Sequence, residues 1–275
     1  MPERRTPSTT QAAVLGLDPL VDLAWRSARE AGAFLRDQRP TDLGISTKST
    51  PTDVVTAMDK ASESLIIERI LGERPVDAIL GEEGGSRVGT TGVTWVIDPL
   101  DGTVNYTYAL PMWAVSIGIE IDGVRHGGVV YAPVFDATFV GLRGHGAWSV
   151  AGEIAQPLAV SSPAALDLSL VATGFGYSAE RRVAQVRALE SVIGQVRDIR
   201  RSGCASLDMC WLASGLFDAY FERGLNAWDV SAGAVIAAEA GAIIREFGDF
   251  TFASSPAIAD DLMSILTNAG ATQGA

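Results

Sequence analysis

The sequence predicts a layered α/β protein, with an antiparallel or mixed sheet in its N-terminal half and alternating α/β structure in its C-terminal half. Three observations predict it: helical spacing of apolar residues near the start, a meander of apolar runs in the middle, and repeated strand-then-helix patterns after about residue 155. At 275 residues and 47% hydrophobic, the chain can bury a core of that extent.

Residues 1–17 read as a disordered tail, because their apolar run is short and broken by Gly16; a secretory signal needs a longer one. Leu20, Leu23, Ala24, Ala28, Ala31, Phe34 and Leu35 recur at helical spacing and predict a first helix over about 19–38. "STPTD" is a loop, with Thr52 or Asp53 the expected N-cap of a second helix through Met58, Ala61, Leu65 and Ile70. "AILGEE" and "VTWVID" are strands that end in acid. "AVSIGIEI", "GGVVYAP" and "ATFVGL", joined by "DGVRHG" and "VFD", form an antiparallel meander. A Gly- and Pro-bearing junction near 150–163 divides one domain, 18–270, into packed halves 18–155 and 156–270. Beyond it, "SLVATG", "RDIRRS", "FDAYFE" and "AIIREF" each precede a helix, near 179–195, 205–214, 229–240 and 257–269.

The charge balance excludes some partners. With 33 acidic against 21 basic residues the formal charge is −12, so neither a nucleic-acid nor an anionic-membrane surface is expected. An anionic small molecule is compatible if a cation in the site offsets the carboxylates. No stretch reaches transmembrane length, and two free thiols, Cys204 and Cys210, suit a reducing compartment; the expected localisation is cytoplasmic.

Four acidic segments lie at predicted strand ends or helix starts: Asp53 and Asp59, Glu82 and Glu83, Asp98 and Asp101, and Asp229. Strand-end carboxylates are well placed to meet in one crevice. Two like charges about 4 Å apart repel by roughly 4 kcal/mol at an effective dielectric near 20, so such a cluster calls for a cation. Oxygen ligands without histidine or thiolate suit Mg²⁺ rather than zinc. His126 and His145 sit in Gly-rich strand connections and read as surface or packing residues. Taken alone, Asp98-Pro99 and Asp101-Gly102 are also ordinary turn pairs, and that reading stays open. The chain has no Gly-Lys pair for a Walker loop, no H-E-x-x-H and no G-x-S-x-G. Its D-x-x-D-G-T spacing differs from the D-x-D-G-T of aspartyl-phosphate phosphatases.

"WVIDPLDGTVNY" (95–106) and "WDVSAGAVIAAEAG" (228–241) resemble the two signatures of the inositol monophosphatase family, D-P-(I/L)-D-G-T-x-N-(F/Y) and W-D-x-(A/S)-(A/G)-G-x-x-x-x-E-A-G. "LGEEGG" and "KSTPTDVVTAMD" resemble its acidic turn and N-terminal loop, so the likeness runs from about 20 to 268. It implies an α-β-α-β-α sandwich and a Mg²⁺-dependent, lithium-sensitive phosphatase that forms a homodimer. By that resemblance Glu82, Asp98 and the Leu100 carbonyl hold one Mg²⁺. Asp98, Asp101 and Asp229 hold a second, and a third lies near Glu82. Asp59 and Thr103 activate the attacking water, with Glu82 in the catalytic set. Asp101, Gly102, Thr103, Ala205, Glu222 and Asp229 contact the substrate, and Lys48 is a possible lid residue. Asp53 reads as a cap, and Glu83 as pointing outward or supporting the ligands. Glu222, at the inositol-binding glutamate's position, favours inositol monophosphates as the phosphate-monoester substrate. Histidinol phosphate, fructose 1,6-bisphosphate and adenosine 3′,5′-bisphosphate are alternatives, as is a non-catalytic metal-binding module. "EAGA" for E-A-G-G and "GAWSVAG" for G-A-x-x-N-G depart from the family pattern away from the metal residues.

Overall fold

The computed structural model describes residues 8–50 and 54–272. Strand β1 (Thr9–Thr10) and helix α1 (Gln11–Leu15) precede the long helix α2 (Pro19–Asp37), whose N-cap Asp18 accepts from the Leu20 and Val21 amides. The expected tail is thereby corrected for residues 9–15. β1 pairs with a later strand, and Val14 and Leu15 are buried in the first core. Residues 1–7 lie outside the described residues.

A small hairpin of β2 (Ser46–Thr47) and β3 (Val54–Val55) leads into α3 (Ala57–Glu73). Its N-cap is Thr56, which corrects the expected Thr52 or Asp53; both of those lie outside the described residues. A cap must immediately precede the first helical residue, and Thr56 does. Asp59, at the third helical position, closes a capping box by accepting from the Thr56 amide at 2.8 Å.

The larger sheet contains β4 (Ala78–Gly81), β5 (Val93–Asp101), β6 (Ala114–Ile121), β7 (Val124–Ala132) and β8 (Ala137–Leu142). It is completed by β9 (Gly146–Ala151), β10 (Ile154–Pro157) and β1, in the order β1-β10-β9-β8-β7-β6-β5-β4. Only β4 and β5 run parallel; the meander is as the sequence predicts. The β9–β10 hairpin occupies the start of the stretch that reads as a junction, and Ala147, Val150 and Ala155 bury its inner face. A short helix α4 (Thr103–Thr107) follows β5.

The smaller sheet orders β12 (Asp198–Arg200), β11 (Leu170–Thr173), β13 (Ala219–Arg223), β15 (Phe250–Ser254) and β14 (Ile243–Phe247). The first three run parallel, as strand-helix alternation requires; β15 is antiparallel to both neighbours. Helices α5 (Ala179–Ile193), α6 (Ala205–Ala213), α7 (Ala227–Glu239) and α8 (Ala259–Asn268) alternate with these strands.

Three cores separate five layers. One lies between α2–α3 and the larger sheet; a second packs α6 and α7 between the two sheets; a third joins the smaller sheet to α5 and α8. The result is the expected mixed α/β fold. α7, buried through Val230–Ala237, lies directly on a cross-strand row of glycines, Gly118, Gly128 and Gly141. A Cβ at Gly128 would stand 2.7 Å from the Ala232 Cα, and one at Gly118 would stand 2.3 Å from the Ser231 hydroxyl. That close approach fixes where the start of α7, and Asp229, come to rest.

Candidate functional site

The site begins with a break in β5. Asp98 pairs with Ser116 and Asp101 with Ala114, so three residues of β5 span two of β6. In a regular strand residues i and i+3 face opposite sides; one inserted residue reverses that parity. The bulge thus turns both carboxylates to the same side. Pro99 sits inside it, where its missing N–H costs no ladder bond, and its carbonyl accepts from the Ser62 hydroxyl at 2.9 Å. The Leu100 amide donates to Asp98 Oδ1 at 3.0 Å. Gly102 then turns the chain into α4 with φ +89°; a Cβ there would meet the Met112 carbonyl oxygen at 2.8 Å.

Thr103, at the first position of α4, donates to Asp59 Oδ1 (2.9 Å) or to the Leu100 carbonyl (3.0 Å). Asp59 is fully buried, and its Oδ2 accepts from both the amide and the hydroxyl of Thr56, the hydroxyl at 2.5 Å. Asp59 and Thr103 are thus joined by a direct hydrogen bond. Sequence reading did not anticipate Thr56 as the group that orients it; the T-x-x-D spacing of a capping box was the available signal.

Glu82 closes the other side. Lys48 donates to its Oε1 at 2.8 Å and also to Glu83. Burial pulls the Lys48 ammonium down, and the two carboxylates more than reverse it, so lysine stays protonated. Glu83 is turned inward onto Lys48, with its side chain 4% exposed, which corrects the outward alternative. Buried Glu63 holds this turn by accepting from the Glu83 and Gly85 amides at 2.8 Å each. Nothing in the residue pattern marked Glu63, an acid on the inner face of α3.

Asp101 Oδ2 accepts three hydrogen bonds, from the Ser206 amide (2.7 Å), the Ser206 hydroxyl (2.6 Å) and the Cys204 thiol (3.2 Å). Burial, then the Asp101 charge, pushes the Cys204 thiol well up, so it acts as a donor rather than a thiolate. Asp229, third residue of α7, accepts from the Asn226 amide through Oδ2 at 2.6 Å.

Lys48, Glu82, Asp101, Gly102, Ala205, Glu222 and Asp229 all line one cavity of about 510 Å³, within the usual range for a small-molecule site. Asp59, Asp98, Leu100 and Thr103 are buried and are not among the residues that line it, and Asp53 lies outside the described residues. Glu222 accepts from the Tyr220 hydroxyl at 2.7 Å, and burial pushes its carboxyl up to about 7 against that bond and Arg201. Gly174 makes room for it: a Cβ there would lie 1.8 Å from Glu222 Oε2. His126 bonds to the α2 cap Asp18 at 2.8 Å, a packing role.

Whether these residues suit Mg²⁺ can be tested on the site itself. Among the described residues no three His, Cys, Asp or Glu side chains form a ready-made ion cage. The fit rests on donor chemistry and electrostatics. Burial raises all four carboxyls, Asp98 and Asp229 well above the ordinary range. Glu82, Asp101 and Asp229 each push Asp98 further. Lys48 offsets only the Glu82 end. Carboxylates repelling one another in a cleft, with no imidazole or thiolate among them, match a hard divalent cation.

The chain matches the inositol monophosphatase family over residues 16–267. It is 42% identical over 262 residues to the inositol-1-monophosphatase of Mycobacterium leprae, covering 87% of this chain and 90% of that one. It is 39% identical to the Nus factor SuhB of Pasteurella multocida, covering 84% and 86%. The solved structure of Mycobacterium tuberculosis SuhB superposes with a TM-score of 0.82 at 38% identity, over 93% of this chain and 98% of that one. On motif, fold and sequence alike, the chain belongs to the inositol monophosphatase family.

Proposed function

We propose that the protein is a Mg²⁺-dependent phosphomonoesterase that hydrolyses inositol monophosphates to inositol and phosphate. One observation carries the chemistry: the buried Thr103–Asp59 hydrogen bond, 2.9 Å long, beside the carboxylate-lined cavity. Glu82, Asp98, the Leu100 carbonyl, Asp101 and Asp229 would hold two to three Mg²⁺. When bound, the ions would supply Lewis acidity for phosphoryl oxygens and would make water a better nucleophile at neutral pH.

The rest falls to the chain. Thr103 Oγ1 donates to Asp59, which leaves its lone pairs to accept a proton from the attacking water. As water oxygen bonds to phosphorus, that proton moves to Thr103 and the threonine proton to Asp59 Oδ1. The phosphorus–oxygen bond to the alcohol breaks on the opposite side, and the alcohol oxygen takes its proton from solvent. The Thr56 bonds to Asp59 Oδ2 hold the base in place without consuming the oxygen that faces Thr103. Glu222 orients the ring by accepting from an inositol hydroxyl, and the Ala205 backbone borders the same side of the cavity. By the family resemblance the protein would be a lithium-sensitive homodimer, and its free thiols Cys204 and Cys210 suit a reducing, cytoplasmic compartment.

Phosphate release from inositol 1-phosphate, histidinol phosphate, fructose 1,6-bisphosphate and adenosine 3′,5′-bisphosphate, with and without Mg²⁺, tests this reading. Metal-dependent turnover with the inositol ester preferred among the monophosphates is the expected result. No turnover of any of them would return the protein to a non-catalytic role.

A further inference from the structure

We propose that Ser206, with Cys204, is a positioning residue that leaves Asp101 a single oxygen to offer a cation, and that this biases the site toward Mg²⁺ over Ca²⁺. The inference rests on the metal-dependent phosphatase reading and names the residues that set its choice of cation.

The donors on Asp101 Oδ2 exhaust it. A carboxylate oxygen carries two lone pairs, and this one accepts from the Ser206 amide, the Ser206 hydroxyl and the Cys204 thiol. A cation can therefore meet Asp101 only through Oδ1. Among the described residues, no other oxygen of the four carboxylates accepts three hydrogen bonds. Glu82 Oε1 accepts from Lys48, Asp98 Oδ1 from the Leu100 amide and Asp229 Oδ2 from the Asn226 amide. Each of those bonds leaves its oxygen a lone pair. Asp101 alone is locked.

The lock is built into the fold. Ser206 and Cys204 are 0% and 1% exposed, so neither donor can turn to water instead. Cys204 is the N-cap of α6 and Ser206 its second residue, where amides have no partner within the helix. Asn105, on α4, donates to the Ser202 carbonyl at 2.9 Å and ties the turn before α6 to the helix that follows Asp101. Gly102 lets the two segments approach: a Cβ there would stand 3.3 Å from Cys204 Cβ. Asp101 and its donors are thus held on one frame, although 103 and 105 residues separate them.

The two cations ask different things of such a carboxylate. Ca²⁺ gathers about six to eight oxygens and takes carboxylates through one oxygen or both, whereas Mg²⁺ needs a near-ideal octahedron and keeps several waters. A carboxylate limited to one oxygen suits Mg²⁺ and withholds a ligand atom from Ca²⁺.

Isothermal titration of Mg²⁺ and of Ca²⁺ into metal-free protein, without substrate, reads the bias as a ratio of dissociation constants. Ser206→Ala keeps the amide bond and removes the hydroxyl. It should shift the ratio toward Ca²⁺ by about tenfold, the lower end for a lost charge-assisted hydrogen bond. Cys204→Ala removes a weaker donor and should shift it the same way by less. Cys204→Ser, which keeps a donor, should hold the wild-type ratio. In turnover, Ser206→Ala should raise the Mg²⁺ concentration for half-activation more than it lowers kcat at saturating Mg²⁺. A merely structural role would lower the metal-free melting temperature and leave the ratio alone. A ratio that neither alanine variant moves would overturn the inference. Titration needs no turnover, so the two readings separate. The expected shift in a protein that hydrolyses none of the esters would uphold the lock and refute the phosphatase reading. Mg²⁺-dependent hydrolysis with an unmoved ratio would do the reverse.

Discussion

Helices α3 and α7 each carry at their third position an acid that closes a capping box, and the two acids end in different states. At α3, Asp59 has both oxygens engaged by the protein: Thr56 takes Oδ2 and Thr103 donates to Oδ1. At α7, Asp229 spends Oδ2 on the Asn226 amide, and the cavity borders the rest of the carboxylate. The same bond from the N-cap amide to the third-position acid thus accompanies a fully hydrogen-bonded acid in one place and an under-satisfied one in the other. Burial and the neighbouring Asp101 push Asp229 well above the ordinary carboxyl range. On the proposed function, the second oxygen rather than the helix position would separate a proton acceptor from a metal ligand.

Replacing each acid by Asn tests that distinction with the largest expected effect. Asp59→Asn and Asp229→Asn should each lower kcat by about a thousandfold or more, as loss of a general base or of a metal ligand does. Only Asp229→Asn should abolish the Mg²⁺-induced rise in melting temperature, read by scanning fluorimetry. If Asp59→Asn abolishes it as well, the two acids share one role and the comparison fails.

Thr103→Ala should lower kcat by about two decades while leaving the Mg²⁺-induced shift in place. Thr103→Ser, which keeps the hydroxyl that bonds to Asp59, should recover most of the rate. Wild-type turnover in the alanine variant at saturating Mg²⁺ would remove Thr103 from the proton path.

How much of this was legible in the sequence depends on how local each cause is. Helix periodicity and the meander are local, and α2, α3 and β6–β8 form where the residues say. β15 was missed because "FTFAS" is only five residues long and lies two residues after β14 in a hairpin, with all five residues buried. The carboxylate motifs were legible because the D-P-L-D-G-T spacing encodes the β5 bulge itself. The groups that hold them were not: Glu63 under the acidic turn, Thr56 on Asp59, and Ser206 with Cys204 on Asp101. Their roles arise from contacts 20 to 105 residues apart, or from which of two nearby caps the helix uses.

Glu222→Gln sharpens the substrate side of the comparison. Losing a charged hydrogen bond is worth about 1.5–3 kcal/mol, so inositol 1-phosphate turnover should fall roughly tenfold to a hundredfold, against a smaller loss for 2-glycerophosphate. Gly174→Ala, whose new methyl would collide with Glu222, should show the same selectivity. Equal losses on both substrates would show that Glu222 does not read the ring.

The smallest expected effect is a pH dependence, and its sign follows from the direction of the shifts. Glu82, Asp98, Asp101 and Asp229 all have carboxyls raised in the folded protein. A group raised on folding contributes stability that is fully present below its unfolded pKa, near 4 for a carboxylic acid. That contribution is lost as pH rises through the folded value. Metal-free protein should therefore lose this contribution as pH rises above about 4, as the cluster is forced to ionise without a counter-charge. On the proposed function Mg²⁺ would bind the ionised cluster and not the unfolded chain. At a hundred times Kd it should add about 2.7 kcal/mol per site, or roughly 5–10 °C of melting temperature for a chain of this size. The gap between melting temperatures with and without Mg²⁺ should accordingly widen as pH rises from acid towards neutral. Asp98→Asn removes the carboxylate on which the other three act. Metal-free, it should be at least as stable as wild type, and its gap should stay small and nearly flat with pH. A wild-type gap that does not change with pH would show that the carboxylates are not ionised against one another. A mutant that keeps the full gap would leave Asp98 as a turn residue, for which Asn serves nearly as well.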